Sequence, residues 1–333
     1  MSCFRQWVCS GLLITCVNSG LAAQEWDNCQ QRAVIVNVLD RRGIPVKGLL
    51  KNNFKASFRG HPVNILSNSY TSGPRRIVIL LDVSASMIGD LGAKKWAIAR
   101  SAVQGLVASA PSKTNIFLIT FADKIEQQLN ATFDRQAITN WLNAPSTSDP
   151  KTLKGHTALF AAIMEALKKL EPTQPGDAIF VVTDGGENKS MISGKQVRRQ
   201  LQTSGVRLFT FLLRSWMPSS EEDSGATELE KMVRSSGGFD IGLNSLSDTT
   251  VFTTASSRWR YDERAISLVG TAMQILSTQI SNFYVMTVAL PESPRKPAQW
   301  RLEAVDLQGR KMKGLRLTYP HELDTCISEL DQH

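Results

Sequence analysis

The stretch RRIVILLDVSASMIGD, residues 75–90, joins a continuous apolar run to a cluster of polar side chains. Every residue from Ile77 to Leu81 is apolar, which is typical of a strand that is buried on both faces. Asp82, Ser84 and Ser86 follow at alternate positions, and side chains two residues apart in an extended chain lie on the same side. The stretch therefore predicts a buried strand whose end carries one carboxylate and two hydroxyls.

Downstream of residue 75, solid apolar segments (IFLITF, AIFVVT and LFTFLL) alternate with helical patterns. In the first helical pattern, GAKKWAIARSAVQGLVASA, Trp96, Ala99, Val103 and Leu106 fall on one helical face. Further helices are expected at 158–170, 193–204, 226–236 and 262–281. Strands that are apolar on both faces and separated by amphipathic helices predict an α/β fold, with a doubly wound, mostly parallel sheet and helices on both faces.

The two ends of the chain have a different pattern, with shorter apolar bursts that are typical of antiparallel strands. DRRGIPVKGL at 40–49 and DLQGRKMKGL at 306–315 share the pattern D-x-x-G-x-x-x-K-G-L. Asp followed by Gly is common turn chemistry, so two unrelated hairpins could also produce this match. Because both copies lie outside the α/β region, we expect both chain ends to form one small antiparallel β-module that flanks it. The expected division is an N-terminal β segment at 24–73, the α/β domain at 74–283, and a C-terminal β segment at 284–333 that pairs with 24–73.

Residues 1–23 have the features of a signal peptide: a single basic residue, an apolar segment and small residues at its end. The apolar segment is too short to favour a membrane span, although retention as an uncleaved anchor is the alternative. Cleavage would leave Cys29 and Cys326 as the two cysteines of the mature chain. In an oxidising compartment they predict a disulfide that joins the chain ends, with two free thiols as the alternative. We expect a secreted or periplasmic protein without a stable membrane span.

Composition excludes few classes of function. The formal net charge of +8 could favour acidic partners, but the basic residues are scattered and no nucleic-acid-binding motif accompanies them. We therefore expect no nucleic-acid partner. No CxxC pair or His/Cys cluster is present, so a zinc site is not indicated.

Two further polar residues are expected near the end of the first strand. Asp184 directly follows AIFVVT, and Gly185 and Gly186 behind it permit a tight turn. Thr157 lies in a loop immediately before a predicted helix. Ligands of open α/β sheets bind at the carboxyl ends of the strands, so we expect these residues to face Asp82. Two carboxylates and three hydroxyls form an all-oxygen set that suits Mg²⁺, with Mn²⁺ or Ca²⁺ as possible replacements.

Asp82-x-Ser84-x-Ser86, Thr157 in GHTAL and Asp184 in VVTDG together resemble the metal-ion-dependent adhesion site of von Willebrand factor type A domains. The resemblance implies that Ser84, Ser86 and Thr157 contact the metal ion. It implies that Asp82 and Asp184 act largely through water.

The resemblance covers roughly residues 74–283 and includes KMVRSSGGFD at 231–240, which is similar to a late helix-Gly-Gly-strand segment of that family. The flanking sequence resembles exported bacterial proteins with a von Willebrand factor A-related region, a type first described in acidobacteria. The sequence KNNF departs from that group, which more often has an acidic residue before the Phe.

The resemblance implies a non-enzymatic binding module, in which the metal ion captures an Asp or Glu carboxylate of a partner protein. Two alternatives stay open: an envelope scaffold whose metal only rigidifies loops, and, less favoured, a hydrolase with Ser84 or Ser86 as nucleophile. The chain has no G-x-S-x-G elbow that would support the hydrolase. The polar residues could also simply cap a strand-to-helix turn. His156, Glu187 and Asn188 could line the rim of the site or be ordinary loop residues.

Overall fold

A computed structural model describes residues 30–87, 93–144, 149, 151, 153–213, 219–242, 263–294 and 296–325. The predicted signal peptide at 1–23 lies outside these residues, as do Cys29 and Cys326, so export and the disulfide stay predictions. In the part of the chain that is described, no helix is long and apolar enough to cross a membrane.

The apolar stretch at 77–81 lies at the centre of a six-stranded sheet. Its strands are β4 (Arg76–Asp82), β5 (Asn115–Phe121), β6 (Ile125–Thr132), β7 (Ala178–Thr183), β8 (Arg207–Leu212) and β9 (Asp240–Gly242), in the spatial order β6-β5-β4-β7-β8-β9. Neighbouring strands are parallel except β5 and β6, which are antiparallel. The expected α/β class is confirmed, with a mixed sheet, whereas the edge strand β6 was not predicted.

Six helices accompany this sheet in the described residues: α1 (Ala93–Ser109), α2 (Arg135–Asn143), α3 (Leu159–Lys169), α4 (Gly194–Ser204), α5 (Ser220–Ser236) and α6 (Glu263–Ser281). Ile77, Ile79 and Leu81 belong to a core cluster with residues of α1, α2 and α6. Val78 and Leu80 belong to a second cluster with residues of α3, α4 and α5. Because successive strand residues point to opposite faces, alternate positions of β4 fill the two cores.

Polar caps set the bounds of two of these helices. Ser193 begins α4 and Ser219 begins α5, and each accepts a hydrogen bond from a backbone N–H of the first turn. Both helices end at a left-handed glycine, Gly205 with φ 67° and Gly237 with φ 77°. Helix α5 begins six residues before the predicted start at 226, because its acidic first turn stabilises the helix without adding apolar periodicity.

The two ends of the described chain share a second, antiparallel sheet. It contains β1 (Gln31–Leu39), β2 (Phe54–Phe58), β3 (His61–Ser72), β10 (Asn282–Ala289), β11 (Ala298–Ala304), β12 (Arg316–Thr318) and β13 (Glu322–Leu323), in the order β12-β1-β10-β3-β2-β11-β13. Strand β1 pairs with β10 and β12, and β2 pairs with β11. Val36, Phe58 and Tyr284 lie in the core of this sheet. The domain boundaries at 24, 74 and 284 stay predictions.

The two copies of D-x-x-G-x-x-x-K-G-L fold into the same turn. The Asp40 carboxylate accepts hydrogen bonds from backbone N–H groups two and four residues later, at 2.8 and 2.9 Å. The Asp306 carboxylate does the same at 3.0 and 2.9 Å. The glycines at equivalent positions have matching positive φ angles: 78° and 76° at Gly43 and Gly309, and 78° and 81° at Gly48 and Gly314. The shared residues are therefore those that this turn requires.

The chain passes from the seven-stranded sheet into the six-stranded sheet after β3 and returns to it at β10, and these two points are neighbours. Strands β3 and β10 are paired, with Ser72 opposite Asn282. The backbone N–H of Gly73 donates to the carbonyl of Ser281 at 3.1 Å. Helix α6 ends at Ser281 and β10 begins at the next residue, so no loop separates them.

Candidate functional site

The carboxyl ends of β4 and β7 place Asp82 and Asp184 at the same edge of the sheet. Asp82 is the last residue of β4, Asp184 follows the last residue of β7, and the two strands are adjacent and parallel. Both aspartates are fully buried, and Ser84 and Thr157 are also buried, whereas Ser86 is partly exposed. Buried carboxylates need hydrogen-bond or charge partners, and the structure provides both kinds.

The Asp82 carboxylate is fixed by its own loop and by the neighbouring strand. Its Oδ1 accepts a hydrogen bond from the backbone N–H of Ser84 at 2.9 Å, and its Oδ2 accepts one from the Thr183 hydroxyl at 2.6 Å. The hydroxyl oxygens of Ser84 and Ser86 lie 3.1 Å apart. The D-x-S-x-S segment is thus a compact unit in which three oxygen-bearing side chains are mutually positioned. Thr183 was not predicted, because its position in AIFVVT indicates only strand core.

The side chains of Thr157 and Asp184 both lie next to Gly186. A Cβ atom at Gly186 would lie 3.2 Å from Thr157 Oγ1 and 3.5 Å from Asp184 Oδ1. The hydroxyl and the carboxylate therefore border the same small space, which a side chain at position 186 would crowd. The backbone N–H of Gly186 donates to Asp184 Oδ1 at 3.2 Å and orients that oxygen.

Asn188 and Glu187 support the loop that carries Thr157. The backbone N–H of Thr157 donates to Asn188 Oδ1 at 3.0 Å, and the Thr157 carbonyl accepts from the backbone N–H of Asn188 at 3.0 Å. Glu187 Oε2 accepts from the backbone N–H of Phe160 at 2.7 Å, in the first turn of α3. His156 is exposed, and its Nδ1 lies 3.4 Å from Asn188 Nδ2. Of the three loop residues, Asn188 and Glu187 position the site.

Lys95 is part of the site, although the sequence analysis did not predict it. Its side chain is 1% exposed, and its Nζ donates to Asp184 Oδ2 at 2.7 Å and to the carbonyl of Ser86 at 2.8 Å. Lys95 lies one turn before Ala99, so it falls on the apolar face of α1. A lysine within an otherwise apolar stripe was the sequence signal that could have identified it.

The charges in the site do not balance. Two carboxylates and one ammonium leave a formal charge of −1 among buried groups. Burial, and to a smaller extent the nearby charge of Asp184, raise the pKa of Asp82 to about 7, although hydrogen bonds from Ser84 and Thr183 oppose the shift. An added cation would relieve this unfavourable burial of negative charge.

The donor chemistry fits a divalent cation that prefers oxygen ligands. In the described residues no group of three or more His, Cys, Asp or Glu could hold a metal ion, so the two carboxylates would need further oxygen ligands, which the neighbouring hydroxyls can supply. All four carboxylate oxygens of Asp82 and Asp184 already accept a hydrogen bond from the chain. The resemblance assigns direct contact with an ion to the hydroxyls of Ser84, Ser86 and Thr157, which lie beside these carboxylates. Metal binding stays a prediction.

A family model described as "von Willebrand factor type A domain" matches residues 77–187, a segment that contains all five predicted site residues. No curated protein matches the sequence. Solved structures that match include an aerotolerance-related membrane protein from Bacteroides fragilis NCTC 9343 (19% identity, 62% of this chain and 98% of that chain, TM-score 0.44). Also matching are the conserved hypothetical protein BatB from Bacteroides thetaiotaomicron (16%, 62% and 99%, 0.42) and a von Willebrand factor type A protein from Catenulispora acidiphila (12%, 90% and 75%, 0.43).

Proposed function

Since the model of the von Willebrand factor type A domain family matches residues 77–187, we propose that this chain is a non-enzymatic, metal-dependent protein-binding module. Asp82, Ser84, Ser86, Thr157 and Asp184 would hold Mg²⁺, with Mn²⁺ or Ca²⁺ as possible replacements. The partner protein would contribute the carboxylate of an Asp or Glu residue. The observation that carries the proposal is the meeting of these side chains at one sheet edge with excess negative charge.

The chain's own residues divide the work in this proposal. The backbone of Ser84 and the hydroxyl of Thr183 keep the Asp82 carboxylate in one orientation, and Gly186 does the same for Asp184. Because these orientations exist before any ion binds, little ordering entropy remains to be lost on binding. A bound Mg²⁺ would supply a positive centre for the partner's carboxylate. The exposed loops around Thr157 would contact the rest of the partner and determine specificity.

We place the mature protein in the bacterial envelope or outside the cell, because residues 1–23 have the features of a cleaved signal peptide. In an oxidising compartment Cys29 and Cys326 would form a disulfide between the chain ends. Mass spectrometry after alkylation without reductant tests this, since a disulfide leaves the mass unchanged and free thiols add two alkyl groups.

The hydrolase alternative receives no support from the contacts of its candidate nucleophiles. The Ser84 hydroxyl contacts the hydroxyl of Ser86 rather than an imidazole. His156, the histidine nearest in sequence to Thr157, contacts the side chain of Asn188 instead. The scaffold alternative differs from the proposed function in one measurable respect, because it requires no partner capture that depends on the metal.

The test is capture of envelope proteins by the immobilised mature chain in Mg²⁺ and in EDTA. We expect Mg²⁺-dependent capture that is lost in Ser86→Ala, which removes one hydroxyl from a partly exposed position. Ser69→Ala removes an exposed hydroxyl from the other sheet and is the matched control that should bind normally. Blocking the carboxyl groups of the extract with a carbodiimide and an amine should abolish capture, because the partner's carboxylate is then an amide.

Identical capture in Mg²⁺ and EDTA would exclude the adhesion function and favour the scaffold. Capture that survives carboxyl blocking would exclude an acidic ligand residue. Hydrolysis of a generic ester that disappears in Ser84→Ala would restore the enzyme alternative.

A further inference from the structure

We propose that Lys95 is a tethered competitor of the divalent ion. Its ammonium supplies positive charge to Asp184 when no ion is bound, and the same charge weakens binding of the ion. This inference rests on the proposed function, because it presupposes a divalent cation at Asp82 and Asp184. It concerns the affinity of the site for its ion and the charge that remains for the partner.

Lys95 is built into the site rather than placed beside it. Its Nζ reaches Asp184 Oδ2 at 2.7 Å and the Ser86 carbonyl at 2.8 Å, so it connects the two strand-end segments that carry the predicted ligands. Among the described residues, no other Lys or Arg lies within 4.0 Å of a carboxylate oxygen of Asp82 or Asp184. The connection holds the site assembled without a metal ion.

The ammonium has no route away from an incoming ion. The Lys95 side chain is 1% exposed, and its helix packs through neighbouring residues such as Trp96 and Ala99 into the core. A lysine ammonium is a compact charge, and repulsion between it and a divalent ion a few ångströms away is poorly screened in a buried site. The ion must therefore bind against this repulsion and share Asp184 with Lys95.

The charge of Lys95 would favour binding of the partner once the ion is bound. The formal charge of the site would change from −1 to +1 on binding a divalent ion, from two carboxylates, one ammonium and the ion. Without Lys95 the loaded site would be neutral. Lys95 therefore lowers the affinity of the site for the metal ion and strengthens the attraction of the loaded site for the carboxylate of the partner.

The experiment compares thermal unfolding of the mature chain in EDTA and over a MgCl₂ titration. The variants are Lys95→Met, which removes the charge, and Lys95→Gln, which removes the charge but keeps a hydrogen-bond donor. We expect both to have a lower Tm than the wild type in EDTA and a larger Tm increase in Mg²⁺. We expect the half-saturating Mg²⁺ concentration to fall by about tenfold or more. Lys195→Met, which removes one exposed lysine from α4, should titrate like the wild type.

The possible outcomes test the competition by Lys95 separately from the proposed function. Equal half-saturating concentrations in the wild type and both Lys95 variants would overturn the competition and leave the metal site intact. Tighter Mg²⁺ binding in the wild type than in Lys95→Gln would overturn it too. No response to Mg²⁺ in any of these proteins would overturn the proposed function and the competition together. A response in the Lys95 variants without one in the wild type would support the competition and contradict Mg²⁺-dependent function. If Lys95→Met fails to fold, Lys95→Gln decides alone.

Discussion

Two cations lie in the interior of the described chain, and their surroundings differ. Lys95 has a carboxylate partner, Asp184, at the carboxyl ends of the strands. Arg207 is fully buried at the amino end of β8 and donates to Asn37 Oδ1 at 3.0 Å and to the carbonyl of Ile280 at 2.8 Å. Its guanidinium also lies 4.5 Å from the ring centroid of Phe283. In the residues that are described, no carboxylate oxygen lies within 4.0 Å of Arg207.

The difference distinguishes Arg207, whose charge has a structural role, from Lys95, whose charge would affect the binding of an ion. Arg207 is stabilised by fixed dipoles, namely an amide oxygen and the last carbonyls of α6, where a cation also complements the helix dipole. Burial lowers the pKa of Arg207 to about 9, which leaves it charged at neutral pH. Lys95 instead neutralises a group that a divalent ion would also use. Arg207 should therefore respond to no ion, whereas Lys95 should.

The largest loss of stability is expected when Asp184, the acidic partner of Lys95, is removed. Asp184→Ala leaves the buried Lys95 ammonium without its ion-pair partner and should lower the free energy of unfolding by about 3–5 kcal/mol in EDTA. The double variant Asp184→Ala/Lys95→Met should recover part of this loss, because the unpaired ammonium is removed while the Asp82 carboxylate keeps its hydrogen bonds. Urea denaturation at pH 7 measures both values. Losses that simply add would show that Lys95, like Arg207, is stabilised by uncharged groups rather than by a carboxylate.

A somewhat smaller loss is expected at the other cation. Arg207→Met leaves Asn37 Oδ1 and the carbonyl of Ile280 without their donor, whereas the carbonyl of Gln279 still accepts from Asn37 Nδ2. Each lost partner costs about 1–3 kcal/mol before relaxation. We expect a net loss of about 3 kcal/mol that is the same in EDTA and in Mg²⁺, measured by the same denaturation. Rescue of this variant by Mg²⁺ would remove the distinction between the two cations.

The smallest effect is a dependence of stability on pH, which we expect from the site around Asp82 and not from the surroundings of Arg207. The pKa of Asp82 is about 7 in the folded chain and about 3.9 when unfolded, so between these values the folded state binds a proton that the unfolded state has lost. Stability in EDTA should therefore fall as pH rises from about 4 to about 7. Arg207 stays charged throughout this range and adds no slope.

Melting temperatures at pH 5 and pH 8 test this dependence. Asp82→Asn has no group to titrate at this position and should lose less stability over the interval than the wild type. Mg²⁺ should reduce the loss in the wild type, because a cation favours the ionised carboxylate. An equal loss in both proteins in EDTA would assign the slope to other groups.

The sequence reveals the buried strands well and the edges poorly. IVILL and AIFVVT are apolar at every position, which allows little except a strand buried on both faces. Strand β6, IEQQLNAT, is an edge strand with alternating exposure, and its polar residues resemble a loop. Helix α5 begins before its apolar pattern does, since caps and acidic residues rather than core contacts stabilise its first turn.

For the candidate site, the sequence identifies the residues that end strands but not those that approach them from elsewhere. Asp82, Ser84 and Ser86 are recognisable by spacing alone. Lys95 is marked only by its place on the apolar stripe of α1, which is a weak signal because a lysine on an amphipathic helix usually lies at its solvated face. Arg207 is even less accessible to sequence reasoning, since its partners at Asn37 and Ile280 are distant along the chain and meet it only in the fold.

The pairing of β3 with β10 has a consequence for how this chain could be rebuilt. Ser72 and Asn282 are opposite each other, and the whole six-stranded unit lies between them in sequence. A short hairpin turn between these two residues would close the antiparallel sheet while every one of its strands kept its neighbours. The position is thus a natural graft point, at which the six-stranded unit could be excised, transplanted or exchanged for another.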